Sequence, residues 1–232
     1  MSALTPLEIE TLQLSLRVGL VSVAASLPLG IAVAWLLARR QFPGKIVLDG
    51  LVHLPLVLPP VVVGYTLLIL FGRNGPIGGW LYDAFGITFA FNWKGAALAS
   101  AVMAFPLMVR AMRLSLELVD RRLEAAARTL GAGRLRVFLT ITVPLMAPGI
   151  LTGSILGFAR SISEFGATIT FVSNIPGETR TLPLALYALT QVPGSDAAAW
   201  RLAVLSVLLA MAALVVSELL ARRLDRRIRG VA

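Results

Sequence analysis

The chain has 232 residues, 57% hydrophobic and only 14% charged, with a mean hydropathy of +0.84; soluble domains carry roughly 25% charged residues, so lipid is the solvent for most of this one. It has no cysteine and one histidine, His53, which excludes disulfides and thiolate metal sites and argues against a histidine-built metal or acid–base centre. The net charge of +9 would suit nucleic acid, but the cations are clustered between apolar runs, so no nucleic-acid partner is predicted.

The N-terminal stretch MSALTPLEIETLQ carries Glu8 and Glu10 and no early Lys or Arg. It lacks the basic start of a cleaved signal peptide, so the first apolar segment is predicted to be retained. That segment runs from about 12 to 38. Ser15, Gly19, Ser22, Ser26 and Gly30 step through it as a small-residue stripe, which lets helix backbones approach one another in lipid. Arg39, Arg40 and Lys45 follow. A second span is predicted at about 51–71, kinked in its first half by Pro55, Pro59 and Pro60. A loop with Trp80, Tyr82 and Trp93 as interfacial aromatics leads to a third span at about 95–112.

Residues 120–131 come next. Leu123, Ala126, Ala127 and Leu130 fall at i, i+3, i+4 and i+7, one face of a short helix. Asp120 is its predicted N-cap, and Gly131 is placed to end it in a left-handed conformation. Glu124 stands one turn before Arg128, the favourable order for an ion pair. An alanine-rich face suits docking into a protein groove, whereas an amphipathic helix lying on headgroups is the alternative. A fourth span is predicted at about 137–159. Gly149, Gly153 and Gly157 repeat there every fourth residue, a helix-packing pattern whose partner is another helix of this chain or of a second copy. A fifth span covers about 197–220.

Fifteen of the 21 Lys and Arg lie in three clusters, at 39–45, 110–136 and 222–229. The positive-inside rule puts these in the cytoplasm, with the N-terminus outside and the C-terminus inside. That parity requires 161–191 to begin and end outside. Its apolar runs, 169–172 and 182–189, are too short to span and are predicted as short helices or re-entrant pieces at the outer face. The fold class is therefore all-α: one polytopic domain over 1–232, with about five transmembrane helices and a cytoplasmic helix between spans three and four.

Residues 124–144 resemble the loop of binding-protein-dependent ABC-importer permeases. Ala126-Ala127 stand four residues before Gly131, and Ile141-Thr142-Val143-Pro144 closes the pattern after a nine-residue gap. The acid Glu124 lies one position earlier than usual, and Val143 stands for leucine. HLPLVLPPVVVGY (53–65), FGITFAFNWKGA (85–96), FPLMVRAMRLSLE (105–117), AARTLGAGRLRVFLTITVP (126–144) and FARSISEFGATITFVSNIPGETRTLPLALY (158–187) are similar to the permease subunits of bacterial molybdate ABC transporters, over nearly the whole chain.

This resemblance implies a type I importer permease in the bacterial inner membrane. It also implies a second copy of the chain, two cytoplasmic ABC ATPases and a periplasmic oxyanion-binding protein meeting the loops 73–94 and 161–196. The chain itself would be non-catalytic and hold no cofactor; ATP and Mg²⁺ would sit on the ATPases. Leu123, Glu124, Ala126, Ala127, Leu130 and Gly131 would form the coupling site. The anion must be released as well as bound, so weak donors such as hydroxyls suit its route. Ser161, Ser163, Thr168 and Thr170 are the candidates, set against the plainer reading that these hydroxyls bond nearby backbone. Glu164 is expected to pair with Arg160 and brace the outer end of span four. His53 is expected to bond Asp49, and Arg17 to reach the headgroups. A tungstate or sulfate permease is the nearest rival. An ion-coupled secondary transporter using Glu164 lacks the expected internal repeats, and an intramembrane enzyme lacks a cluster of catalytic groups.

Overall fold

The computed structural model describes the backbone of residues 4–229; beyond residue 216, only the side chain of Leu219 is described. The arginine side chains of the 222–229 cluster lie outside the described residues. The described chain is helical throughout, with no strand.

Helix α1 (Pro6–Arg39) starts well before the first apolar run. Thr5 and Glu8 form a reciprocal capping box, with Thr5 N donating to Glu8 Oε2 at 2.7 Å. Pro6 takes the first position, where no N–H is needed. The predicted second span is two helices, α2 (Lys45–Val57) and α3 (Pro60–Phe71), set at 115° to each other. Pro59 drives Leu58 into an extended conformation, so the expected kink is a full break. Helix α4 (Pro76–Phe85) lies in the following loop. Helix α5 (Trp93–Glu117) is capped by Asn92, whose side chain accepts from the amides of Lys94 and Gly95.

Helix α6 (Arg121–Thr129) is the short amphipathic helix, capped by Asp120. The fourth span opens with α7 (Arg134–Val137), a π-helical turn over Phe138–Thr142 and α8 (Val143–Leu145). It then bends by 66° into α9 (Ala147–Ile162). Pro144 and Pro148 each remove a donor from the ladder on either side of that bend. Helices α10 (Gly166–Val172), α11 (Leu182–Thr190) and α12 (Asp196–Arg229) complete the chain.

Helices α1, α5 and α12 are each long and apolar enough to cross a bilayer, and the two bent pairs bring the total to as many as five. Contacts fix their directions. Arg39, at the end of α1, donates to the carbonyl of Val119 just past α5, so α1 and α5 run parallel. Near the start of the α2–α3 pair, Asp49 meets Arg113 at the arginine-rich end of α5. At the far end of the pair, Phe71 packs edge-on against Phe89 beside the opposite end of α5. The pair therefore traverses the bundle and is not a re-entrant loop.

Helices α1, α5 and α9 form the centre of the bundle. All five residues of the α1 small-residue stripe are buried. Helix α9 stops short of the outer face. The Ser22 hydroxyl, halfway along α1, donates to Ser161 Oγ at 2.7 Å. After the break at residues 163–165, α10 carries the crossing onward. Its Phe171 and Val172 are fully buried with Leu14, Ala96 and Ala97. This agrees with one expectation and corrects another. Residues 169–172 lie in a short helix, buried among the outer ends of α1 and α5. Glu164 stands near mid-depth, not at the outer end of span four. A run of seven helical residues is too short to read as part of a span until its continuation from α9 is visible.

Candidate functional site

At the arginine-rich end, α6 presents its Leu123, Ala126 and Leu130 side outward; Leu123 is 49% and Leu130 88% exposed, and Ala127 is half-buried. Of the polar residues of α6, Arg121, Arg122, Arg128 and Thr129 are exposed and only Glu124 turns inward. Glu124 is buried, and one of its oxygens accepts from Arg39 Nη2 at 3.1 Å and from the Thr142 hydroxyl at 3.0 Å. The other oxygen lies 3.6 Å from Arg128 Nη2, one turn on. The Arg39 and Glu124 side chains are only 8% and 10% exposed. A single carboxylate thus ties α6 to the end of α1 and to the π-helical turn that opens the fourth span. Gly131 follows with φ +85° and open space around it. There the chain needs a left-handed residue and not a small one. Sequence reasoning missed Arg39 and Thr142. They stand 85 and 18 residues from Glu124, and no local spacing marks them.

The exposed apolar residues of α6 have no covering among the described residues, while Glu124 fastens the helix to the end of α1 and to the fourth span.

Further along the fourth span, Gly149, Gly153 and Gly157 face α5. A Cβ at Gly149 would overlap Ser115, one at Gly153 would come within 3.0 Å of the Met108 carbonyl, and one at Gly157 within 2.7 Å of Met108 Cγ. The packing partner is a helix of the same chain. Gly64 makes the corresponding approach for α3, where a Cβ would strike the Ala167 carbonyl of α10.

The four candidate hydroxyls do not share one surface. Ser161 is buried and bonded to Ser22. Ser163 is exposed and donates to the Arg160 carbonyl at 3.1 Å. Thr170 donates to the Gly166 carbonyl at 2.8 Å. Thr168 is buried, and its hydroxyl has no hydrogen-bond partner among the described residues. Glu164 is buried and ion-paired with Arg160. Its other oxygen accepts from Ala167 N at 2.8 Å, so the same side chain satisfies the first turn of α10. His53 reaches Asp49, with Nδ1 to Oδ1 at 3.1 Å. The Arg17 guanidinium lies 3.7 Å from the centre of the Trp93 ring, an intramolecular cation–π contact.

A bundle of up to five bilayer crossings with a short helix anchored at one end defines a polytopic membrane protein. The chain belongs to the family of binding-protein-dependent transport system inner membrane components, which matches residues 26–230; it is a multi-pass inner-membrane protein.

Among curated proteins it is 64% identical to the molybdenum transport system permease protein ModB of Escherichia coli (strain K12), over 94% of this chain and 96% of that one. It is 38% identical to the sulfate transport system permease protein CysT of the same strain, over 87% of this chain and 72% of that one. Among solved structures, a bacterial ABC transporter involved in the import of alginate shares its fold, with a TM-score of 0.74 at 16% identity over 95% of this chain and 80% of that one.

Proposed function

We propose that this chain is the transmembrane subunit of an ATP-driven importer that carries molybdate across the inner membrane. The observation that carries the substrate is the gap between 64% identity to a molybdenum permease over nearly full length and 38% to a sulfate permease. The exposed α6 ridge supports the ATP-driven part of the reading, because it leaves a docking face for a separate engine.

In this reading two copies face one another across the route. Two cytoplasmic ABC ATPases each receive the Leu123, Ala126, Ala127 and Leu130 face in a groove, and ATP and Mg²⁺ are held there and not by this chain. ATP must bind the closed arrangement of the ATPases more tightly than the open one, otherwise it shifts nothing. Closure draws the two α6 helices together. The Glu124 tie passes that motion to Arg39 and Thr142, and the crossings rock between inward-open and outward-open states. A periplasmic oxyanion-binding protein delivers the anion to the outer loops. Ser163 and Thr170 serve the anion only by releasing their present backbone acceptors, so each donor is weak, as release requires. Thr168 serves it only if its helix moves.

The test is reconstitution in liposomes with candidate ATPases and binding proteins. Molybdate-stimulated ATP hydrolysis with coupled uptake is expected. Stimulation by sulfate alone would give the chain to the rival substrate. Uptake abolished by an ionophore while ATP persists would replace the ATP-driven reading with an ion-coupled one.

A further inference from the structure

A cavity of about 410 Å³ opens behind α6, between the end of α1 and the segment from α7 to the π-helical turn. Its volume lies within the range of about 300–1,000 Å³ usual for small-ligand sites. Arg39, Arg40, Arg121, Arg128 and Arg134 line it, with Glu124 as its one acid. Glu124 is already taken by Arg39 and Arg128. Arg40, Arg121 and Arg134 have no ion pair among the described residues: Arg121 reaches only the Ala38 carbonyl at 3.5 Å, and Arg40 lies 5.5 Å from the centre of the Trp35 ring.

A second observation adds to the positive charge there. The Arg39 side chain is more than nine-tenths buried, and its Nε has no hydrogen-bond partner among the described residues. A buried charged donor left unmet is costly, and an anion held in the cavity by the exposed Arg40, Arg121 and Arg134 would offset the charge behind it. Guanidinium forks match phosphate oxygens well.

The surroundings say which phosphate. Trp35 also lines the cavity and is the kind of residue that sits at headgroup level. Leu135 and Leu139, one turn apart on the same segment, are both exposed. These leucines are chain neighbours of the lining residues Arg134 and Phe138, and exposed apolar groups on the segment that carries a basic cavity fit a molecule with acyl chains, not a free ion. Basic pockets between membrane helices on the cytoplasmic side bind anionic headgroups for this reason.

We infer that this cavity is a binding site for the phosphate headgroup of an anionic phospholipid of the cytoplasmic leaflet, held by Arg40, Arg121 and Arg134 in front of the buried Arg39 guanidinium. The inference needs the membrane placement but not the molybdate reading, and its readout is lipid binding and not transport. The lipid would be a structural ligand of the coupling region, since its site shares Arg39 and Glu124 with the α6 anchor.

The experiment titrates the purified full-length chain, in phosphatidylcholine nanodiscs, with phosphatidylglycerol or cardiolipin, read by thermal shift and by native mass spectrometry. Each cation near an anionic headgroup contributes a factor of about five, so Arg40→Gln with Arg134→Gln should weaken binding by roughly thirtyfold. The Lys versions of both should keep most of it. If the double variant is already unstable in phosphatidylcholine alone, Arg134→Gln by itself, at an exposed position, should weaken binding by about fivefold. Equal affinity of wild type and variants would overturn the site. So would inorganic phosphate alone reproducing the full thermal shift, which would make the ligand a free ion.

Discussion

Replacing Glu124 by methionine is the sharpest test of how α6 is held. The substitution removes the carboxylate facing Arg39, and both side chains are about nine-tenths buried. Breaking such a buried pair from one side costs about 3–5 kcal/mol, because the remaining charge is left uncompensated. The other partners of Glu124 should cost less in a graded way. Thr142→Val loses one hydrogen bond to a charged group, about 1.5–3 kcal/mol. Arg128 is 56% exposed and 3.6 Å away, so Arg128→Ala should cost no more than about 0.5 kcal/mol. The assay is unfolding in detergent for Arg39→Met, Glu124→Met and the double variant, with hydrogen exchange of the 121–129 amides alongside. The double variant should be nearer to wild type than either single one, because two apolar groups replace a pair without stranding a charge. Exchange in α6 should rise in the singles first. Single effects that add to within about 0.5 kcal/mol would mean the two groups are not coupled, and the account of the anchor would fail.

Other outcomes follow from the same contacts. Gly149→Ala should destabilise the bundle by about 1–3 kcal/mol through overlap with Ser115 and the Ala111 carbonyl, and Ser115→Gly in the same chain should restore only part of the thermal stability. Gly131→Val meets no neighbour and should cost only the left-handed penalty of about 1–2 kcal/mol; insertion should persist while ATP hydrolysis loses its link to uptake, whereas Gly131→Asn should keep that link. Glu164→Gln should keep the bond from Ala167 N but strand the Arg160 charge near mid-depth, lowering thermal stability, and Arg160→Gln in the same chain should recover much of the loss. Ser161→Ala removes one hydrogen bond between helices, worth about 0.6 kcal/mol on average in a membrane, and uptake should remain near wild type.

The features legible beforehand were those carried by short-range pattern. The apolar runs located the crossings, the period of 120–131 drew α6, and Asp120 marked its start. Arginine clustering oriented the chain, and the contacts of Arg39 and Asp49 at the same end of α5 agree with that parity. What escaped was depth and pairing. Pro59 announced a kink, but nothing local says that the angle is 115°. The break at residues 163–165 was hidden because polar residues between apolar runs read as a surface loop. In the fold they are a joint between α9 and α10 with Glu164 buried at its centre, made tolerable by that side chain serving both Arg160 and the amide of Ala167. Arg39 looked like one more member of a positive-inside cluster until Glu124 was found against it.

The outer end of α1 has a further consequence. At about 51 Å for 34 residues, the helix overshoots the hydrocarbon layer. Its overhang is stitched to what surrounds it: Glu8 pairs with Arg201 of α12 at 2.9 Å, and the Ser15 hydroxyl accepts from the Leu182 amide at 2.7 Å. The segment before α11 is thereby mounted on a stiff post instead of hanging as a loose flap. A visiting protein would meet a landing stage already set in shape, and little of its adhesion would be lost to freezing the quay.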